Sequence, residues 1–177
     1  MKGRFTFRML VGELKEDANN PNYCGSFFRN VFFVPPFKYI FHHRICYWLH
    51  GVKVLRPLYY IHLLYLNRLR RKYGIEISSK FHLPRHFTIA HGGGIVFYPA
   101  TCGENVYIRQ GVTVGNKGRG NAGAPRIGRN VEFGALSIAI GDISIGDNAT
   151  IAAGAVVTKD VPDGVTVAGV PARPIGR

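Results

Sequence analysis

The stretch Ile127–Pro162 reads IGRNVE FGALSI AIGDIS IGDNAT IAAGAV VTKDVP and breaks into hexads. Their first places are Ile127, Phe133, Ala139, Ile145, Ile151 and Val157, all apolar. The fifth places, Val131, Ser137, Ile143, Ala149 and Ala155, are mostly small or β-branched, and the second places are usually Gly or Ala. The phase takes in Ile77, Leu83, Ile89 and Ile95 upstream, then slips by one residue to Cys102, Ile108 and Val114. Neither the period of a helix nor the alternation of a strand generates a six. A flat strand of about three residues followed by a corner does, and three such units close a triangular coil. First-place side chains then fill the interior, and neighbouring coils pair edge to edge about 4.8 Å apart. The expected fold is mainly β: a parallel β-helix of hexapeptide repeats over residues 75–161, with an N-terminal α-helical region.

Residues 1–74 are a different piece. They hold 13 Lys and Arg against 3 acidic residues, a net of +10, whereas the remainder holds 10 against 7, a net of +3. Sixteen of the 22 aromatics also fall there. Segments 37–50 and 55–73 have helical spacing with wide apolar faces; Pro35 and Pro36 precede the first and Gly51 punctuates its end. The apolar run after Met1 is broken by charge too soon for a signal peptide, and Pro57–Asn67, uncharged, is far short of the roughly 20 residues of a bilayer span. Three readings of this front end stay open: a helical cap packed on the β-helix and on sister subunits, a membrane-surface platform over residues 27–73, and nucleic-acid binding, for which only the charge speaks. No nucleic acid is expected. Cys24, Cys46 and Cys102 form no CxxC pair, which points to a reducing compartment, the cytoplasm, at the inner face of a membrane if the platform is real.

Two features interrupt the repeat. Residues 115–126, GNKGRGNAGAPR, are rich in Gly and Asn and offer no first-place residue, so they must loop out of the wall. Earlier, Thr88–Val96 reads TIAHGGGIV: His91 lies two places after an inward Ile, hence on the outer wall, and three glycines leave the backbone beside it open to close approach.

From Gly74 to the tail VVTKDVP…AGVPAR, about 100 residues, the chain resembles the left-handed β-helix acyltransferases. The segment HGGGIVFYPATCGENVYIRQGVTVG is similar to the serine O-acetyltransferase branch, and HGGG with GNKGRGNAGAP to the branch found with bacterial surface-polysaccharide synthesis. The resemblance implies an acetyl-CoA-dependent O-acetyltransferase and a homotrimer with each site in the groove between neighbouring β-helices. It implies His91 as general base, Glu76 as an aid to acceptor binding or to His91, and residues 116–125 as part of the acceptor or CoA wall. Ala135 and Ala153, one coil apart, would leave room for the pantetheine arm; Thr158, Lys159 and Arg173 match positions that hold the CoA end, which assigns the tail 162–177 to CoA. An alcohol attacks a thioester at neutral pH only as its proton is accepted, and imidazole titrates near that pH.

The departures from the serine-specific pattern matter. Ala90 stands where those relatives have an Asp before the base, and Ala124 where they have a second His before a Pro; only the acid at Glu76 survives. A sugar or surface-polysaccharide hydroxyl is therefore the expected acceptor, with free serine the alternative. A sugar amine and a trimeric scaffold without catalysis are further alternatives. Cys102, at a first place, reads as a buried hydrophobe. His86 and His91 share an H-x4-H spacing with γ-class carbonic anhydrases of the same fold, but that site needs a third His about two coils earlier, which the repeat lacks; no metal is expected.

Overall fold

The computed structural model describes residues 5–23, 25–118 and 123–176. Four α-helices come first: α1 (Phe7–Ala18), α2 (Phe27–Phe33), α3 (Pro35–Gly51) and α4 (Arg56–Tyr73), with a 3-10 turn at Lys53–Leu55. Pro35 and Pro36 open α3, where a missing N–H costs nothing, and Gly74 closes α4 in the left-handed conformation, its N–H donating to Arg70 O. The helices at 37–50 and 55–73 are as expected. Helices α1 and α2, capped by Thr6 and Ser26, were not foreseen in the sequence.

Fourteen short strands follow, numbered β1 to β14 in chain order, on three faces. Face one stacks β1 (Ile75–Ile77), β3 (Ile95–Phe97), β6 (Thr113–Gly115), β9 (Ile138–Ile140) and β12 (Val156–Val157). Face two stacks β2 (Thr88–Ile89), β5 (Tyr107–Ile108), β8 (Glu132–Phe133), β11 (Thr150–Ile151), β13 (Thr166–Ala168) and β14 (Arg173–Pro174). Face three stacks β4 (Thr101–Cys102), β7 (Arg126–Ile127) and β10 (Ser144–Ile145). All pairings are parallel except β13 with β14. In the regular part each strand pairs with the one three hexads further on, as Glu132 with Thr150 and Ile138 with Val156. First-place Ile127, Phe133, Ala139, Ile145, Ile151 and Val157 and fifth-place Val131, Ser137, Ile143, Ala149 and Ala155 are all buried. Burying one such aliphatic side chain stabilises the fold by about 1.5–3 kcal/mol, so the stack of ledges is the main source of cohesion.

The register corrects one part of the sequence reading. Ile89 pairs with Ile108 and Phe97 with Val114, so Phe97, not Ile95, is the first-place residue of its coil. The slip therefore lies in the HGGG corner. Ile89 to Phe97 is eight residues, against six for Ile108 to Val114, Phe133 to Ala139 and Ile151 to Val157. Ile95 is still buried, but in the fifth-place position.

The helices are fastened to the first coil by buried polar groups. The Tyr23 hydroxyl donates to Ile89 O at 2.9 Å and accepts from Ile89 N at 3.0 Å, occupying the outer edge of β2. Arg44, inside α3, donates to Glu13 and Asp17 of α1 and to the carbonyls of Leu83 and Pro84. Burial raises the Asp17 carboxyl, an effect that the Arg44 guanidinium opposes. His43 lies beside Ser78 O at 3.0 Å.

Candidate active site

Three edges join the three faces. On the edge between faces two and one, the corner N–H groups climb coil by coil: Gly111 donates to Gly93 O, Leu136 to Gln110 O and Gly154 to Ala135 O. Gly93, Gln110, Ala135 and Ala153 are thus successive steps of one ladder, and His91 with Gly92 is a two-residue enlargement at its base. His91 is exposed at the foot of that ladder. Ala135 is half-buried and Ala153 exposed, so these two steps of the edge carry only methyl groups, while the exposed Leu136 stands beside Ala135.

The glycines also have a role inside the chain. A Cβ on Gly92 would lie 2.8 Å from Tyr73 O, and Gly74 packs on Gly94 N. The end of α4 therefore presses on the enlarged corner, and the close approach read from the sequence is made in part by the chain's own backbone. A Cβ on Gly93 would meet nothing within 4 Å, so that glycine faces open space.

Glu76 projects from β1 beside that junction, and Tyr98 donates to its Oε1 at 3.0 Å. The two line a cleft with Asn67, Arg70, Arg71 and Gly94, and His91 is not among its lining residues. Burial and the neighbouring Glu76 raise the Tyr98 phenol, which keeps it a donor. The sequence did not single out Tyr98, Asn67, Arg70 or Arg71, because their meeting depends on α4 folding back onto β1.

The loop stands on another edge, between faces one and three. It leaves after Gly115 and rejoins at Arg126. Thr101 pairs with Arg126, a longer step along the chain than the three hexads that part Arg126 from its next partner, Ser144. Asn116 Oδ1 accepts from Gly118 N, Lys117 lies over Gly141, and Arg126 pairs with Asp142 at 2.7 Å, so both ends of the loop seat on the Gly141–Asp142 corner. Residues 119–122 lie outside the described part. One coil further along the same edge, Thr158 and Lys159 line a cleft with Arg173, which β14 carries back against β13. Two groups of expected residues therefore form: His91, Ala135 and Ala153 on one edge, and the loop, Thr158, Lys159 and Arg173 around another.

Cys102 is half-buried, its thiol pushed up to about 12 by desolvation, and it donates to Gly103 O. That suits an inert wall residue better than a nucleophile. Among the described residues no group of three or more His, Cys, Asp or Glu could hold a metal ion.

A β-helix of this period, with an imidazole on an enlarged corner, defines the class of hexapeptide-repeat transferases. The profile of the bacterial transferase hexapeptide (six repeats) matches residues 124–159. WcaB of Escherichia coli K12, named as a colanic acid biosynthesis acetyltransferase, is 42% identical over 123 residues, 68% of this chain and 76% of that protein. The serine acetyltransferase of Bacillus subtilis is 33% identical over 170 residues, 94% of this chain and 76% of that one. Among solved structures, the serine acetyltransferase of Neisseria gonorrhoeae superposes with a TM-score of 0.80 at 31% identity, over 97% of this chain and 68% of that one. That of Brucella abortus with coenzyme A superposes at 0.75 with 33% identity, over 96% and 67%. The chain belongs to the hexapeptide-repeat transferase family, as an acyltransferase whose acyl donor is acetyl-CoA.

Proposed function

We propose that the protein transfers the acetyl group of acetyl-CoA to a hydroxyl of a sugar or surface-polysaccharide intermediate, with His91 as general base. The observation that carries this reading is the enlarged corner, which sets an exposed imidazole at the foot of the Ala135–Ala153 edge. The side chains suit the donor: the small Ala135 and Ala153 leave room for a slender arm beside the apolar Leu136, while Lys159 and Arg173 offer cations and Thr158 a hydroxyl to phosphates. Acetyl-CoA supplies an activated thioester, so the protein need form no covalent intermediate. As the acceptor oxygen bonds to the carbonyl carbon, His91 takes its proton; when the carbon–sulfur bond breaks, the imidazolium returns that proton to the departing sulfur. A backbone N–H would hold the oxyanion between those events. Glu76, positioned by Tyr98 in a cleft without His91, serves the acceptor in preference to the base.

The imidazole and the cations belong to different edges of one prism, so a complete site calls for a second copy. A ring of three gives every groove one edge of each kind, the homotrimer of this reading. The reaction belongs in the cytoplasm, where acetyl-CoA is made available. Serine is the second reading, favoured by the likeness to serine acetyltransferases over nearly the whole chain. Against it stand Ala90 and Ala124, which offer neither the acid nor the second imidazole.

The test is thiol release from acetyl-CoA with glycan acceptors and with L-serine, each beside His91→Ala. Turnover with a glycan that depends on His91 supports the proposal. Brisk, His91-dependent turnover with serine overturns it in favour of the second reading. An acetylated product stable to mild alkali would mean an amine acceptor, since esters hydrolyse. Acetyl-CoA binding with no turnover on any acceptor would leave a scaffold.

A further inference from the structure

From Phe27 to Tyr73 the chain contains nine Lys and Arg and no Asp or Glu. The three acids that precede this segment are already paired: Glu13 and Asp17 with the buried Arg44, and Glu16 with Arg85 at the surface. Helices α2 and α4 and the 3-10 turn before α4 nevertheless turn large apolar side chains outward. Phe33 is 79% exposed, Val54 88% and Leu64 72%, with Phe28, Phe32, Leu58, Tyr60 and Ile61 all at least half exposed. On α4 the exposed residues Leu58, Ile61, Leu64 and Tyr65 follow one another at helical spacing, and the exposed Arg68, Arg71 and Lys72 continue beyond them. The faces of α2 and α4 are linked by a train of rings, Phe28–Phe27–Phe41–His42–Tyr65, with centroids 4.8 to 5.8 Å apart. Soluble monomers rarely leave so many large apolar groups open in one region.

We infer that this face docks on an anionic lipid surface. Charge decides the occupant. A second copy brought against the same face would meet mostly cations with cations, Glu76 beside the end of α4 being one carboxylate against several Lys and Arg, which costs free energy. An anionic bilayer accepts both parts at once, apolar rings and aliphatics at the acyl boundary and Lys or Arg among the headgroups. No described helix is long and apolar enough to cross a membrane, so the contact is peripheral. It also has a direction. The basic end of α4 runs into Gly74, which packs against Gly94 of the His91 corner, so docking brings the base beside the headgroups. An acceptor carried on a lipid would then be delivered where its proton is removed.

Sedimentation of the whole chain with vesicles of phosphatidylglycerol and phosphatidylcholine, against phosphatidylcholine alone, tests this. Binding is expected only to the anionic vesicles and should weaken as salt is added. Ile61→Glu with Leu64→Glu should lower the partition constant at least about tenfold. Lys53→Gln with Arg56→Gln and Arg68→Gln should lower it further, to roughly a hundredth or less. Both variants should keep their helical circular dichroism and oligomeric mass. Absence of binding at low salt overturns the proposal, as does binding that both variants retain. Variants that lose oligomeric mass while still binding vesicles would give the face to another copy of the chain.

Discussion

His91 sits where the repeat gains two residues, and at that scale its role can be separated from its support. Replacing His91 with Ala removes an exposed side chain that no neighbour needs for packing, so stability should hold while kcat falls by roughly 10²–10⁴ with little change in the KM for acetyl-CoA. A two-substrate initial-rate analysis checks the split. Leu136 lies on the same edge with φ 61°, between Gly111 at 72° and Gly154 at 69°, where glycine would carry no penalty. Leu136→Gly should therefore leave stability within about 1 kcal/mol of the parent, relief of the left-handed conformation offsetting the freer unfolded chain. Gly134 is the opposite case. A Cβ there would lie 2.8 Å from the Ala152 carbonyl carbon, backbone that cannot step aside. Gly134→Ala should cost about 2 kcal/mol or more in urea unfolding. The sequence singled out His91 through its glycines, but the two-residue enlargement was hidden: Ile95 is apolar and buried and so passed for a first-place residue until register separated it from Phe97.

At the scale of elements, α3 is the strut between α1 and the first coil. Its Arg44 is buried and donates to two carboxylates, so removing Asp17 keeps the Glu13 counter-ion but takes away the acceptor of two buried guanidinium N–H groups. Asp17→Ala should destabilise the protein by about 1–3 kcal/mol in urea. His43, fully buried beside the Ser78 carbonyl and with Arg70 and Arg44 near, is pushed down to about 3 by burial, and His42 to about 4. Below pH 6.5 the unfolded chain takes up a proton that the native imidazole refuses. The stability involved is therefore complete above pH 6.5 and is lost as pH falls towards 3, at up to about 1.4 kcal/mol per pH unit for His43. Unfolding midpoints between pH 7 and 4.5 should follow that slope, and His43→Gln should flatten it. Helices α3 and α4 were readable because their apolar residues recur at helical spacing over long spans. Helix α1 is amphipathic too, but it is shorter, and the face it buries carries Glu13 and Asp17, whose partner Arg44 lies 27 to 31 residues away in the chain.

For the whole molecule, the hexads foretold the prism and its inner ledge almost residue by residue, because six residues admit few other solutions. What they did not reveal is that the expected site residues divide between two edges. Coexpression of His91→Ala with a Lys159→Ala, Arg173→Ala chain tests the completed groove. If each site takes its base from one copy and its cations from another, random mixing restores intact grooves at about one in four. If both sets serve within one chain, mixing restores none.

The two ends of the prism carry a last consequence. Stacked parallel rungs present unpaired N–H and C=O groups at each terminus, the same template that lets amyloid add strands without limit. Here the Tyr23 phenol takes up both backbone groups of Ile89 at one end, and β14 lies antiparallel over β13 at the other. These act as stops against end-to-end polymerisation. Tyr23→Phe together with removal of residues 169–176 should turn a discrete oligomer into a fibre-former, visible as length growth in electron micrographs that the parent never shows.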